Sequence, residues 1–319
     1  MIGSERGALW LSLTAALAMA LLALVFALAT DSRVILLDGL YNAVYFLVGL
    51  FTLRAARLVQ TPDNARFPFG HGYFESLVNA AKGLLILGVS LIALVDALLT
   101  ITAGGRPIVA GLAMLYAGGA SVVCGLTALV LGRVARRVDS PLVRADVTNW
   151  ILNAVISASL VAGFAAVPLL VQLGWSAATP FVDPVLVAAV VVLLIGMPVR
   201  LARDALFELL NRAPGDALQA AVEAAIDRAT ADLPVVERRA RVVRPGRTLY
   251  AAVHIVLPPD WPVGRLDRLD AVRARIDDAV RAIQPRLLLD IVFTAEPYWA
   301  APNAGTQPPP ALSSSNMSP

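Results

Sequence analysis

Two pairs of polar side chains stand four residues apart within apolar stretches of the chain. Asp38 and Asn42 form one pair, Asn149 and Asn153 form the other, and Ser157 continues the second series. Side chains four residues apart lie on one face of an α-helix. Two such helices could enclose a small cation between four oxygen ligands, of which only Asp38 carries a charge. The alternative is that the asparagines only join neighbouring helices through hydrogen bonds.

Three further ionisable residues, Lys82, Asp96 and Asp183, also fall in apolar stretches. Placing such a group in a membrane costs about 2.5–3.5 kcal/mol, so each is a candidate for a functional role. We expect Lys82, near the end of its stretch, to reach the interface and act as an anchor. Asp96 has either a functional role or a place in water at the opposite end. Asp183 precedes Pro184, where the start of a helix explains it.

The composition of the chain is that of a membrane protein. Of its 319 residues, 58% are apolar and only 15% are charged, against roughly 45–50% and 25% in soluble domains. This excludes a disordered chain and argues against a soluble enzyme. The single cysteine, Cys124, excludes an internal disulfide framework and a cysteine-based zinc motif. The net charge of +3 is too small to indicate a nucleic-acid partner. We also find no nucleophile–histidine set and no phosphate-binding loop, so we expect no enzymatic activity.

Six windows are long enough to cross a hydrocarbon core of roughly 30 Å as helices. They cover residues 8–29, 34–53, 77–101, 108–131, 147–173 and 181–199. The first is too long for the apolar region of a cleaved signal peptide. Arginines concentrate after the second, fourth and sixth windows, which places both termini in the cytoplasm by the positive-inside rule. We therefore predict a six-span membrane domain over residues 1–203.

The chain after the sixth window has the pattern of a small α+β domain. Residues 216–233 and 266–283 show helical periodicity, and residues 235–243, 248–257 and 287–293 are predicted to be strands. The order α-β-β-α-β over residues 204–299 suits two helices packed on one face of a three-stranded sheet, a ferredoxin-like arrangement. The rest of the chain, 300–319, is rich in Pro, Ser, Ala and Asn and is predicted to be disordered.

Four short motifs resemble those of the cation diffusion facilitator family. They are DGLYN at 38–42, FGHGYFE at 69–75, RAD at 144–146 followed by Asn149 and Asn153, and DP at 183–184. The resemblance covers about residues 8–297. It implies a divalent metal cation efflux transporter in a bacterial-type inner or plasma membrane, with six spans and a cytoplasmic metallochaperone-like domain. It also implies a homodimer that works by alternating access as an antiporter, exchanging metal for protons.

The chain departs from the family pattern at the central metal site. Family members usually hold the metal with three Asp and one His, whereas the matching positions here are Asp38, Asn42, Asn149 and Asn153. Amide oxygens are hard ligands that suit Mn²⁺, Mg²⁺ or Ca²⁺ better than Zn²⁺. Only Asp38 among the four can carry a proton, so we expect proton coupling to be weaker or to reside elsewhere. The sequence does not choose between Zn, Mn, Fe, Co and similar metals as substrate, and it implies no resident cofactor.

The resemblance assigns further residues with less precision. It places His71 and Glu75 in a cytoplasmic entry loop, with Asp146 at its mouth as a second carboxylate. His71 either contacts metal or braces the loop. In the cytoplasmic domain, His254 and Glu296 form at most a weak metal site. Because three ligands are replaced, the alternative to a transporter is a transport-silent regulatory or scaffolding subunit of a related transporter.

Overall fold

The computed structural model describes residues 4–30, 33–106 and 112–300, and it builds the first two thirds of the chain from long helices. These are α1 (Glu5–Thr30), α2 (Arg33–Leu58), α3 (Tyr73–Thr102), α4 (Leu112–Ala135), α5 (Pro141–Gln172), α6 (Val182–Leu194) and α7 (Gly196–Leu209). Within these described ranges, six stretches are long and apolar enough to cross a membrane, with α6 and α7 together forming the sixth. The six predicted spans are confirmed.

Helix α5 begins six residues before the predicted fifth window. Ser140 caps its start by accepting a hydrogen bond from the Val143 backbone N–H at 3.3 Å, and Pro141 occupies the first turn. Leu142 and Val143 are fully buried, so apolar contacts hold this first turn in place. As a result, Asp146 lies inside a helix and not in a loop.

The sixth span is interrupted at Ile195 and then continues well beyond the predicted end at Val199. The added turns of α7 pack on α3, where Ala202 and Ala205 are buried. A Cβ atom added to Gly83 would lie 2.6 Å from the Ala202 backbone nitrogen, so the two backbones approach closely there. The chain divides into compact units at 209/210, six residues after the predicted boundary.

The membrane helices form two groups with a shared boundary. Helices α1, α2, α4 and α5 pack on one another and form the four-helix group. Helix α3 packs on α6 and α7, and these three form the α3 group. Helices α2 and α5 also contact α3, and α5 contacts α6, so these contacts join the two groups.

The second unit is a three-stranded sheet with helices on one face, as predicted. Its elements are α8 (Asp216–Ala229), β1 (Glu237–Val243), β2 (Leu249–Val256), α9 (Leu266–Arg281), β3 (Leu287–Thr294) and the short α10 (Pro297–Ala300). The strand order is β1-β2-β3, with β1 antiparallel and β3 parallel to β2. Val222 and Ile226 of α8 and Ile276 of α9 share one core with Leu249 and Val253 of β2.

The last helix of this unit, α10, includes Ala300, the first residue of the tail that was predicted to be disordered. Ala300 is buried, and its carbonyl oxygen accepts a hydrogen bond from the Arg241 guanidinium at 2.9 Å. The rest of the predicted disordered tail, 301–319, lies outside the described residues.

Candidate cation site

The first half of the candidate site is on α2, where Asp38 and Asn42 share a face as their spacing predicts. The Asn42 side-chain amide donates to the Asp38 carbonyl oxygen at 2.9 Å and lies 3.4 Å from the carboxylate oxygen Oδ1. The other carboxylate oxygen accepts a hydrogen bond from the Tyr116 hydroxyl of α4. Asn42 is buried and Asp38 is half-buried. The carboxylate is therefore held by partners from two helices.

The second half is on α5, where Asn149 and Asn153 also share a face. The Asn153 amide nitrogen lies 3.5 Å from Asn149 Oδ1. Tyr41 of α2 donates its hydroxyl hydrogen to the same Asn149 oxygen at 2.5 Å and also hydrogen-bonds Asn153. Since Tyr41 stands between Asp38 and Asn42 in sequence, it connects the two polar pairs across the α2–α5 contact.

A buried ion pair lies one helical turn from these asparagines. Lys82 of α3 is 0% exposed, and its Nζ contacts Asp146 Oδ1 of α5. The same carboxylate oxygen accepts the Tyr45 hydroxyl of α2 at 2.8 Å, and Nζ lies 5.7 Å from the centre of the Tyr45 ring. The expectation that Lys82 anchors at the interface is wrong, because its ammonium finds a buried carboxylate and does not need water. The ammonium of Lys82 compensates the negative charge of Asp146, so Asp146 is not a free second ligand in this conformation.

The predicted entry loop is packed around His71. The His71 side chain is buried, with Nδ1 3.3 Å from the Thr61 hydroxyl. Its ring centre lies 4.8 Å from that of Phe67 and 5.9 Å from that of Phe74. Glu75 is fully buried in the first turn of α3. These contacts support the brace interpretation of His71, while its role toward metal stays a prediction.

Of two other acidic candidates, the structure describes the side chain of Asp96 but not that of Asp183. Asp96 is well exposed and pairs with Arg106 at 3.1 Å, so water and a surface ion pair account for it. Asp183 lies in the first turn of α6, and its side chain falls outside the described part of the structure.

His254 and Glu296 lie on different parts of the second unit. His254 pairs in register with Val292 of β3, and Thr294 pairs with Val256. Glu296 follows the end of β3 by two residues, where its backbone hydrogen-bonds the Thr294 hydroxyl, and a shared metal contact with His254 stays a prediction. Burial lowers the pKa of His254 below its usual range, and the Arg241 guanidinium lowers this pKa further. This environment disfavours a proton on His254. The Glu296 side chain is exposed to solvent.

Tyr41, Tyr45 and Tyr116 are the site residues that sequence analysis missed, together with the partner of Lys82. Tyr41 and Tyr45 stand three residues after Asp38 and Asn42, so helical spacing alone could have placed them beside the polar face. Tyr116 carries no such signal, because its contact with Asp38 joins residues that are far apart in the sequence. Among the described residues, no group of three or more His, Cys, Asp or Glu could hold a metal ion.

The fold and the site together define a multi-span membrane protein with an oxygen-lined polar site between its helices. The model of the cation efflux transmembrane domain family matches residues 9–210, which is most of the chain. The chain therefore belongs to the cation efflux family, whose members transport metal cations across membranes.

A curated relative matches a shorter part of the chain. It is the manganese efflux system protein MneP of Bacillus subtilis (strain 168), 29% identical over 79 residues. That alignment spans 25% of this chain and 27% of the relative. The comparison supports metal cation efflux at the level of the family.

Proposed function

We propose that the protein exports a hard divalent cation, with Mn²⁺ as the first candidate, by alternating access between the two sides of the membrane. The observation that carries this proposal is the link between Asp38–Asn42 and Asn149–Asn153 through Tyr41. It gathers carboxylate, amide and phenol oxygens on facing helices. Such an oxygen-only set suits Mn²⁺ better than Zn²⁺, which prefers imidazole, thiolate or several carboxylates.

The same bonds determine how the site would bind its substrate. Without a cation, the polar groups satisfy one another, since Tyr116 donates to Asp38 and Tyr41 donates to Asn149. Each of these oxygens keeps a lone pair after it accepts one hydrogen bond, so a cation can coordinate it while the tyrosine bond persists. The tyrosine bonds therefore hold the oxygens in position for a cation. Asp38 supplies the charge, and Asn42, Asn149 and Asn153 supply neutral oxygens.

The test is cation uptake into vesicles that hold the purified full-length protein. Mn²⁺, Zn²⁺, Fe²⁺, Co²⁺, Cd²⁺ and Mg²⁺ are run side by side for the wild type, Asp38→Asn and Asp96→Asn. We expect Mn²⁺ uptake to exceed Zn²⁺ uptake. Asp38→Asn should reduce Mn²⁺ uptake at least tenfold, because it removes the one negative charge among the four proposed ligands. Asp96→Asn is the matched control, because that carboxylate is exposed, and it should retain wild-type uptake.

Two results would contradict the proposal. If folded wild-type protein moves none of these cations, the transport-silent subunit becomes the better interpretation. If Asp38→Asn transports as well as the wild type, the cation does not use this site. Proton exchange and a homodimer, which the family resemblance implies, stay predictions. Uptake with and without an imposed pH gradient tests the first, and the mass of the detergent-solubilised protein tests the second.

A further inference from the structure

The Lys82–Asp146 ion pair joins the two helix groups at a buried point. Lys82 belongs to α3, and Asp146 belongs to α5 of the four-helix group. Tyr45 of α2 donates to the same carboxylate, so three helices meet at this contact. Both charged side chains are almost fully buried. Any relative movement of α3 and α5 must therefore stretch or break this pair.

The pair also lies between the candidate cation site and one end of the bundle. Asp146 precedes Asn149 by three residues and Tyr45 follows Asn42 by three, about 4.5 Å along each helix axis at 1.5 Å per residue. Both displacements lead toward the end where α2 finishes and α3 and α5 begin, which also carries the connection 59–72. In the conformation described, the buried pair closes the bundle at this level.

We propose that Lys82 and Asp146 form a reversible latch that closes this end of the cation site and opens once in each transport cycle. The inference rests on the proposed function. A buried ion pair suits such a latch, because the desolvation cost nearly offsets the attraction of the charges. When the helices separate, water solvates both charges, and this solvation offsets the attraction lost between them. An apolar pair of similar size has no such compensation and holds the closed state more tightly.

The alternative is that the pair only staples the fold together. A staple and a latch predict different transport rates when the charges are replaced without loss of stability. Replacement of a buried ion pair by apolar residues often leaves stability equal or higher, whereas loss of one partner is strongly destabilising. The informative variant is therefore the double change Lys82→Met/Asp146→Leu. The charge-swapped variant Lys82→Asp/Asp146→Lys keeps an ion pair in which the positive and negative side chains have exchanged positions.

The native cysteine provides a direct measure of opening. Cys124 is the chain's one cysteine, is 3% exposed on α4, and lies within electrostatic range of Asp38. Opening of the bundle at the latch would admit water and small reagents to the region of Asp38 and Cys124. The rate at which N-ethylmaleimide modifies Cys124 in the full-length protein in vesicles therefore reports the open population. Mn²⁺ turnover and the thermal midpoint are measured on the same samples.

We expect Lys82→Met/Asp146→Leu to slow both Cys124 modification and Mn²⁺ turnover about tenfold, with a thermal midpoint no lower than that of the wild type. The charge swap should return turnover to within about threefold of the wild type. Tyr45→Phe should act in the opposite direction. Loss of its hydrogen bond to a charged group weakens the latch and should speed Cys124 modification about tenfold. Arg144→Gln, which removes an exposed ion pair with Asp139 at the start of α5, is the control and should change neither rate.

The latch is overturned if the apolar double variant folds and keeps wild-type turnover and modification rates, since the pair is then only a staple. If that variant does not fold, Tyr45→Phe decides, and an unchanged modification rate overturns the latch. A wild type that moves no Mn²⁺ or other cation instead contradicts the proposed function. In that case the modification rates still test whether the pair opens, so the two failures are distinguishable.

Discussion

At the scale of single residues, the candidate cation site is organised by phenol groups. Tyr41 and Tyr116 donate to Asn149 and Asp38, and Tyr45 donates to Asp146. Each hydroxyl adds a hydrogen bond to a buried or half-buried side-chain oxygen, which contributes about 0.5–3 kcal/mol. These bonds fix the directions of the oxygen ligands before any cation arrives. The tyrosines are thus positioning residues for the proposed site.

Tyr41→Phe tests this positioning role. Without the hydroxyl, the Asn149 oxygen loses its short bond and the side chain is free to turn away from α2. We expect the KM for Mn²⁺ to rise about tenfold, while maximal uptake changes by less than about threefold, because ordering of the ligands is lost but the charge of Asp38 is kept. Vesicle uptake at a series of Mn²⁺ concentrations measures both quantities.

Tyr73→Phe is the matched control for this change, since Tyr73 begins α3 and is placed outside the cation site. An unchanged KM in Tyr41→Phe, or equal effects of the two substitutions, would contradict the positioning role.

The sequence predicts part of this site for a simple reason. Helical spacing is local, so it correctly places Asp38 beside Asn42 and Asn149 beside Asn153. Contacts between helices are not local. The Tyr41–Asn149 bond joins residues 108 positions apart, and the Lys82–Asp146 pair joins residues 64 apart. No spacing rule brings such residues together, which is why Lys82 was wrongly expected at the interface.

At the scale of secondary structure, periodicity predicts α8, α9 and the three strands of the second unit, but it does not predict α10 or the ends of the elements. Helix α8 was expected to reach residue 233 and ends at Ala229. Thr230 terminates it, since its hydroxyl donates to the Ile226 carbonyl at 2.9 Å and the following chain turns away. An apolar stripe continues through such a turn, so the pattern alone overestimates the length of the helix. The strand boundaries agree more closely because Pro245 and Gly246 mark the turn.

Strand β2 carries a testable pH dependence through His254. Its pKa is lowered in the folded protein, so the unfolded state binds more protons once the pH falls below the ordinary histidine value of about 6.5. This contribution to stability is complete above that value and is lost as the pH falls through the lower folded pKa. We expect amide hydrogen exchange in β2 of the full chain to slow less, as the pH is lowered from 7 to 5, than the base-catalysed intrinsic rate predicts, because the strand opens more often.

His254→Gln provides the control for this measurement, because it keeps a polar side chain that does not titrate. The excess of exchange over the intrinsic prediction in β2 should vanish in that variant. If the wild type and the variant show the same pH profile, His254 does not control the stability of the strand.

At the scale of the whole molecule, arginine placement predicts the orientation in the membrane. Arg54, Arg57 and Arg66 lie near one end of the bundle, with Arg133, Arg136 and Arg137 at the α4–α5 connection of that same end. The positive-inside rule predicts that this end faces the cytoplasm. With six spans, both termini are then predicted to lie on that side.

Paired cysteine variants test the orientation in intact cells. In a Cys124→Ser background, Ser176→Cys and Ala65→Cys introduce exposed thiols at opposite ends of the bundle. We expect a membrane-impermeant maleimide to modify Ser176→Cys in intact cells, and Ala65→Cys only after the cells are permeabilised. The reverse pattern would place the termini outside, and modification of both variants in intact cells would contradict a single orientation.

The charge count of the site has a consequence for energetics. The Lys82–Asp146 pair is neutral as a unit, so Asp38 is the one uncompensated charge among the residues proposed to face the substrate. A dication bound there leaves the loaded site with a net charge of about +1. Movement of one such charge across a membrane potential changes its free energy by about 2.3 kcal/mol per 100 mV. A cell interior that is electrically negative would therefore pull the loaded form inward and oppose export. With Asp38 as its one charge, the proposed site would thus make the outward step of the loaded form depend on membrane voltage, as the movement of one positive charge does.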